Sequence, residues 1–218
     1  MQRSMVKLLS LADLFTIINL VFGFLAIIVA SNMRLAVSLV LLAVLSDGLD
    51  GILARRGRNG VLGEYMDVGA DLVSFCIAPN IILYNNIVFP RFYVEIVVLI
   101  CSVVFVVSGF IRLTSFPVMK NQGFFLGLPT PAAGLILSLL IFVKASVFYI
   151  IPVLILSSLL MLVNVRFPKM DVKTSLFAAV LIILVIVFDG FWYNLMAFIL
   201  LVSLTVYILW GFVLTFKK

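Results

Sequence analysis

The stretch Asp47-Gly48-Leu49-Asp50-Gly51-Ile52-Leu53-Ala54-Arg55, followed after seven residues by Gly63-Glu64-Tyr65-Met66-Asp67-Val68-Gly69-Ala70-Asp71, decides how this chain is read. It sets four aspartates between long apolar runs. Near the centre of a membrane-spanning helix each carboxylate costs roughly 2.5–3.5 kcal/mol on insertion scales, so four left unpaired would cost on the order of 10 kcal/mol. Function is the default reason for carrying such a load.

On helices, Asp47 and Asp50 are spaced i,i+3 and Asp67 and Asp71 i,i+4, so each pair projects from one face. Between them, Arg56-Gly57-Arg58-Asn59-Gly60 is a polar, Gly-rich turn of the kind that joins antiparallel helices. The resulting hairpin gathers the four carboxylates near the same ends of two spans. Like charges held that close repel, and divalent cations resolve the conflict. With oxygen ligands only and no His in the chain, the donor set suits Mg²⁺ or Mn²⁺, and admits Ca²⁺. Two ions fit such a set, as in sites that clamp a phosphoryl group while activating a nucleophile. Gly48, Gly51 and Ala54 leave a strip bare of large side chains, against which a flat ligand can lie, and Arg55 is placed to pair with a phosphate. Two blander readings compete. The glycines could serve close helix packing, and the acids could line the cation path of an ion-coupled transporter. A transport path spreads its carboxylates along a route, whereas these fall within positions 47–71.

The rest of the chain is built for a bilayer. Hydrophobic residues make up 65 % of the 218 and charged ones 11 %, and the mean hydropathy is +1.35. A water-facing surface needs far more charge. At roughly 20 apolar residues per crossing there is room for about six to eight spans. The apolar runs predict spans near 12–31, 34–54, 65–86, 92–114, 128–145, 147–165, 174–190 and 192–214. They are continuous rather than alternating, which excludes a β-barrel. The fold class expected is therefore all-α, a polytopic integral membrane helical bundle. No repeat or long linker divides residues 1–218, so a single domain is expected.

With the N-terminus cytoplasmic, Arg3, Lys7, Arg55, Arg56, Arg58, Arg112, Lys120, Arg166, Lys169, Lys173, Lys217 and Lys218 share one side, against Arg34, Arg91 and Lys144 on the other. This bias puts both termini and the aspartates at the cytoplasmic face of the cell membrane. The net charge of +6 then reflects topology and attraction to anionic headgroups, not nucleic-acid binding, which needs a solvated basic surface. Residues 1–10 have the makings of a short interfacial amphipathic helix. Cys76 and Cys101 read as inert packing, Glu95 and Asp189 as interfacial groups, and Glu64 as a helix N-terminal charge.

Written as D-x2-D-G-x2-A-R-x7-G-x3-D-x3-D, residues 47–71 resemble the defining motif of the CDP-alcohol phosphotransferases, with every fixed position filled. Leu14-Phe15-Thr16 with Asn19 and Gly23, Val73-Ser74-Phe75, Ala78-Pro79, Tyr84, Arg112-Leu113 and Gly127-Leu128-Pro129-Thr130-Pro131 are similar to the phosphatidylserine synthase branch, most of all its archaeal, archaetidylserine-making members. Leu72 follows the fourth aspartate, where the glycerophosphate and inositol-phosphate branches usually carry a basic residue. The resemblance implies a six-helix core with two extra spans, working as a homodimer among membrane lipids. It implies transfer of a phosphatidyl or archaetidyl group from a CDP-activated lipid to an alcohol, with L-serine as the expected acceptor and release of CMP. Glycerol 3-phosphate or an inositol phosphate is the alternative. It further implies that Asp47, Asp50, Asp67 and Asp71 hold two Mg²⁺ or Mn²⁺ ions, that Asp71 is also the general base, and that Gly51, Ala54, Arg55 and Gly63 contact the CDP-lipid. A serine carboxylate needs a cation, and Arg112, with its bidentate geometry, is the candidate; the competing reading is an interfacial anchor.

Overall fold

The computed structural model describes residues 9–54, 62–115, 124–168, 172–188 and 194–216. Ser10 starts the first helix. Its Oγ accepts the Asp13 N–H at 3.3 Å while Asp13 Oδ2 accepts the Ser10 N–H at 2.6 Å, a capping box that opens α1 (Leu11–Ile28). The proposed interfacial helix over the first residues lies mostly outside the described residues. A short turn leads to α2 (Met33–Ala54), where Asn32 Oδ1 accepts the Leu35 N–H at 3.3 Å. The third crossing, α3, is one continuous helix over Gly63–Asn86. Glu64 sits in its first turn, as expected for an N-terminal charge.

α3 carries a feature that hydropathy does not announce. Between α-helical Gly63–Asp71 and Ala78–Asn86, residues Leu72–Ile77 are π-helical, and the Ala78 N–H reaches back to Val73 O. Pro79 gives a physical reason. It has no N–H to donate and its ring would press on the carbonyl of Phe75, so the turn before it widens. That same Phe75 carbonyl abuts Gly134, where no side chain would fit.

Next come α4 (Phe92–Ser115), β1 (Phe124–Leu126), α5 (Thr130–Phe142), α6 (Val147–Leu162), β2 (Arg166–Pro168), α7 (Val172–Val187) and α8 (Leu195–Phe216). The eight expected spans thus correspond to eight helices among the described residues, and the protein is an all-α membrane bundle. By length and composition alone, Gly63–Asn86, Phe92–Ser115 and Leu195–Thr215 could cross a membrane, while α5, α6 and α7 are shorter apolar helices. The shortness of α5 follows from its place. Nearly every residue from Ala132 to Phe142 is buried, wrapped by α2, α3, α6 and α8, so α5 meets protein rather than lipid. The outer helices do the reverse. On α4, Ile96, Leu99, Ile100, Val103, Val107 and Phe110 form an exposed apolar stripe at helical spacing. A helix whose outward face is its greasiest belongs in a bilayer.

The short antiparallel pair β1–β2, with Phe125 opposite Phe167, was not anticipated. It ties the entry of α5 to the exit of α6. Gly127 follows in the left-handed region (φ 73°), donating its N–H to Val165 O at 2.9 Å. Leu128 then donates to Leu160 O at 2.9 Å.

Candidate active site

α1, α2, α3, α4 and α5 bring their polar residues to one end of the bundle. Down α1, Asp13, Thr16 and Asn19 are all buried and spaced by three, so they share a face in an otherwise apolar helix. That face meets α3. Thr16 Oγ1 donates to Asp67 Oδ1 at 2.9 Å, and Asn19 Nδ2 donates to Asp71 Oδ1 at 3.0 Å. One helical turn further along α3, Ser74 Oγ donates to the backbone oxygen of Asn19 at 2.9 Å. Gly23 lets this contact close, because any side chain there would collide with Ser74. Each aspartate of α3 is therefore held in orientation by a neutral donor from α1.

From α2, Asp47 comes within hydrogen-bond reach of Asp71 and feels the charge of Asp67. Asp71 is buried, at 8 % exposure, and faces both. Opposite them stands Arg112 of α4, whose field acts on Asp71 and Asp47. Its Nη1 donates to Thr130 Oγ1 at 2.7 Å, at the first turn of the buried α5. An interfacial anchor would extend toward headgroups, whereas this half-buried side chain is turned inward, with its Nε buried. Beside it a small cavity of about 90 Å³ opens between α4, β1 and the end of α6, bordered by Ser115, Gly127, Met161 and Asn164.

The glycines of α2 face open space. Among the described residues, a Cβ built on Gly48 or Gly51 would meet nothing within 4 Å, and the same holds for Gly69 on α3. Steric packing thus gives no reason for glycine at 48 or 51, which weakens the close-packing reading. Gly63 is different, since a Cβ there would lie 3.0 Å from Asp13 Oδ1. Asp50 lies on α2 three residues beyond Asp47, but its side chain and that of Ala54 lie outside the described residues, as do Arg55, Lys120 and Asp189 entirely.

Among the described residues no three acidic side chains close a metal-holding cluster by themselves. The donor set fits a hard divalent cation nonetheless. Asp47, Asp67 and Asp71 face one another, a fourth carboxylate, Asp50, is carried on α2, and Asn19 Oδ1 is a buried oxygen with no hydrogen-bond partner among the described residues. Thr16 and Asn19 are the kind of outer partner that orients ligating carboxylates. Their site role went unassigned at the sequence level, although a polar residue every third position through an apolar span was the signal.

A family model described as CDP-alcohol phosphatidyltransferase matches residues 9–167. The chain belongs to the CDP-alcohol phosphatidyltransferase family. It is 33 % identical over 174 residues to the CDP-diacylglycerol–serine O-phosphatidyltransferase of Methanocaldococcus jannaschii, covering 78 % of this chain and 80 % of that protein. It is 33 % identical over 179 residues to the archaetidylserine synthase of Methanothermobacter thermautotrophicus, covering 78 % and 74 %. A CDP-diacylglycerol–serine O-phosphatidyltransferase of Bacillus subtilis matches at 31 % over 158 residues, covering 70 % and 86 %. CDP-alcohol phosphatidyltransferases use divalent metal ions. Together with the apolar helices, membership makes this an integral membrane protein.

Proposed function

We propose that this chain transfers a phosphatidyl-type group, diacyl or archaetidyl, from a CDP-activated lipid to the hydroxyl of L-serine and releases CMP. The observation that carries the reading is the meeting of Asp47, Asp67 and Asp71 under the donors Thr16 and Asn19, in a chain whose relatives bear serine-transferase names. Residues 1–218 act as one catalytic domain, working as a homodimer with the site at the cytoplasmic face. Asp47, Asp50, Asp67 and Asp71 would hold two Mg²⁺ or Mn²⁺ ions. When bound, such ions neutralise phosphate charge and ease departure of the leaving group.

The protein's own part is positioning and proton handling. The bare surface over Gly48 and Gly51 accepts the flat cytidine end of the donor, with Ala54, Arg55 and Gly63 completing that contact. Asp71 takes the proton of the serine hydroxyl as its oxygen attacks the lipid-side phosphorus. A new P–O bond forms, the bond to CMP breaks, and its electron pair leaves with CMP. With no His in the chain, a carboxylate is the base available. Arg112 binds the serine carboxylate at the mouth of the small cavity beside it, kept in aim by Thr130.

Measuring CMP release from a CDP-lipid with Mg²⁺ or Mn²⁺ tests the reading, with L-serine, glycerol 3-phosphate, inositol 1-phosphate or no acceptor. Serine-dependent release is expected. Release with another alcohol alone would keep the chemistry and overturn the acceptor, while no release with any would return the transporter reading. Arg112→Lys keeps the charge but loses the planar fork, and is expected to raise the KM for serine about tenfold or more. Affinity for the CDP-lipid should change little; equal losses for both substrates would make Arg112 a scaffold residue instead.

Gly51→Ala separates ligand space from helix packing. Because no atom of the described residues lies within 4 Å of the new methyl, alanine should hold or raise the thermal midpoint, being worth roughly 0.5–1 kcal/mol over glycine within a helix. Binding of the CDP-lipid should weaken about tenfold, as overpacking a close contact does. A drop in stability with binding unchanged would return Gly51 to a packing role.

A further inference from the structure

A second concavity lies at the other end of the bundle. At 1.5 Å per residue, Arg34 is about 20 Å from Asp47 along α2, and Asn86 about 22 Å from Asp71 along α3. There the α1–α2 turn, the end of α3 and the α5–α6 turn enclose an open cavity of about 750 Å³, bordered by Ser31, Asn32, Arg34, Asn86 and Lys144 among others. That volume falls within the ~300–1,000 Å³ of ordinary ligand sites.

Its chemistry is one-sided. Two cations reach it from two separate turns, and among the described residues none bordering it carries a carboxylate. The first turn of α2, with the positive end of that helix's dipole, lies in the same wall. Asn86 is pinned there, its Nδ2 donating to Ala30 O at 2.7 Å and Ile82 O at 2.8 Å, which fastens the end of α3 to the α1–α2 turn.

Lys144 adds an independent sign. It closes α5 in the left-handed region, at φ 56°, with its N–H on Ile141 O and the Ala145 N–H on Leu140 O, both at 2.9 Å. Glycine fills such a helix-ending position without strain, yet this chain spends a lysine on it. Snorkelling explains basic residues at a bilayer edge. It does not explain two of them sharing a concavity, one on a strained backbone.

We propose that this cavity is a second, non-catalytic binding site for a phosphate group, held between Arg34 and Lys144. A lipid headgroup and free inorganic phosphate present the same oxygens, and either source satisfies this chemistry. Because three turns converge on it, an occupied cavity ties together α2, α3 and α5, the helices that carry Asp47, Asp71 and Thr130 at their other ends.

The test uses the full chain in a neutral detergent and reads thermal midpoints, so it does not depend on turnover. One arm is titrated with inorganic phosphate, another with dioleoylphosphatidylglycerol, and a control with uncharged dioleoylglycerol. A rise with the anionic lipid alone assigns a headgroup, and a rise with inorganic phosphate assigns the free ion. In either case Arg34→Gln with Lys144→Gln should weaken the response about tenfold or more, while Arg34→Lys with Lys144→Arg retains it. Lys144→Gly guards against a variant that fails to fold. Glycine suits the backbone there, so it should raise the ligand-free midpoint while weakening the response to the same probe. The proposal is overturned if neither anion stabilises the parent protein more than dioleoylglycerol does, or if the Gln and Gly variants respond as the parent does.

Discussion

Asp71→Asn is expected to lower CMP release by about 10²–10⁴-fold, the range that general-base catalysis supplies. The geometry makes it a clean substitution. An asparagine oxygen at the Oδ1 position can still accept from Asn19 Nδ2, so the side chain keeps its orientation and loses only its charge and basicity. Asp47 and Asp67 face Asp71, so the variant also removes one of several mutually repelling carboxylates. Its thermal midpoint without added metal should therefore hold or rise. CDP-lipid binding, measured apart from turnover, should be largely intact. If binding disappears together with turnover, the principal role of Asp71 is to hold the metal rather than to take the proton.

Stripping divalent ions with a chelator is expected to abolish measurable CMP release, with Mg²⁺ or Mn²⁺ restoring it. A second readout does not involve the reaction. An ion that binds only the folded chain stabilises it by about 2.7 kcal/mol at a hundredfold excess over its Kd, so adding the ion should raise the thermal midpoint. Asp47→Asn should reduce that rise, since Asp47 faces both aspartates of α3. Turnover undiminished in chelator, with no metal-dependent shift in the midpoint, would exclude the assignment of these residues as ligands.

Much of this was legible because membrane burial is expensive. Eight apolar runs give eight helices among the described residues, as hydropathy reads the cost of leaving backbone groups unpaired in lipid. The i,i+3 and i,i+4 spacing of the aspartates foretold that α2 and α3 would present them together, as Asp47, Asp67 and Asp71 are. The partners from α1 were less legible. Thr16 and Asn19 stood out as polar positions in an apolar span, but which carboxylate each would orient depends on the rotation of α1 against α3. β1 and β2 are three residues each, too short for alternation to show, and their pairing is decided by a partner about 40 positions away. The inward turn of Arg112 depends on Thr130 lying at the entry of α5, a tertiary fact that positive-inside counting cannot supply.

The third crossing is sensitive to phase rather than length, and the π-helical segment after Asp71 sets that phase. α3 touches α1 and its following turn at two levels, through Asp71 to Asn19 near one end and through Asn86 to Ala30 near the other. The wide turn of Leu72–Ile77 holds one residue more than an α turn, so removing one there closes it with little rotation. Removing one from α-helical Ala78–Asn86 would instead shorten the helix by only about 1.5 Å, a change a bilayer absorbs, but would rotate its far end by about 100°. Both engagements could not then survive together. The widened turn acts as a dial fixed at assembly, setting how the chemistry-bearing end of α3 faces its neighbours once the far end has found its place.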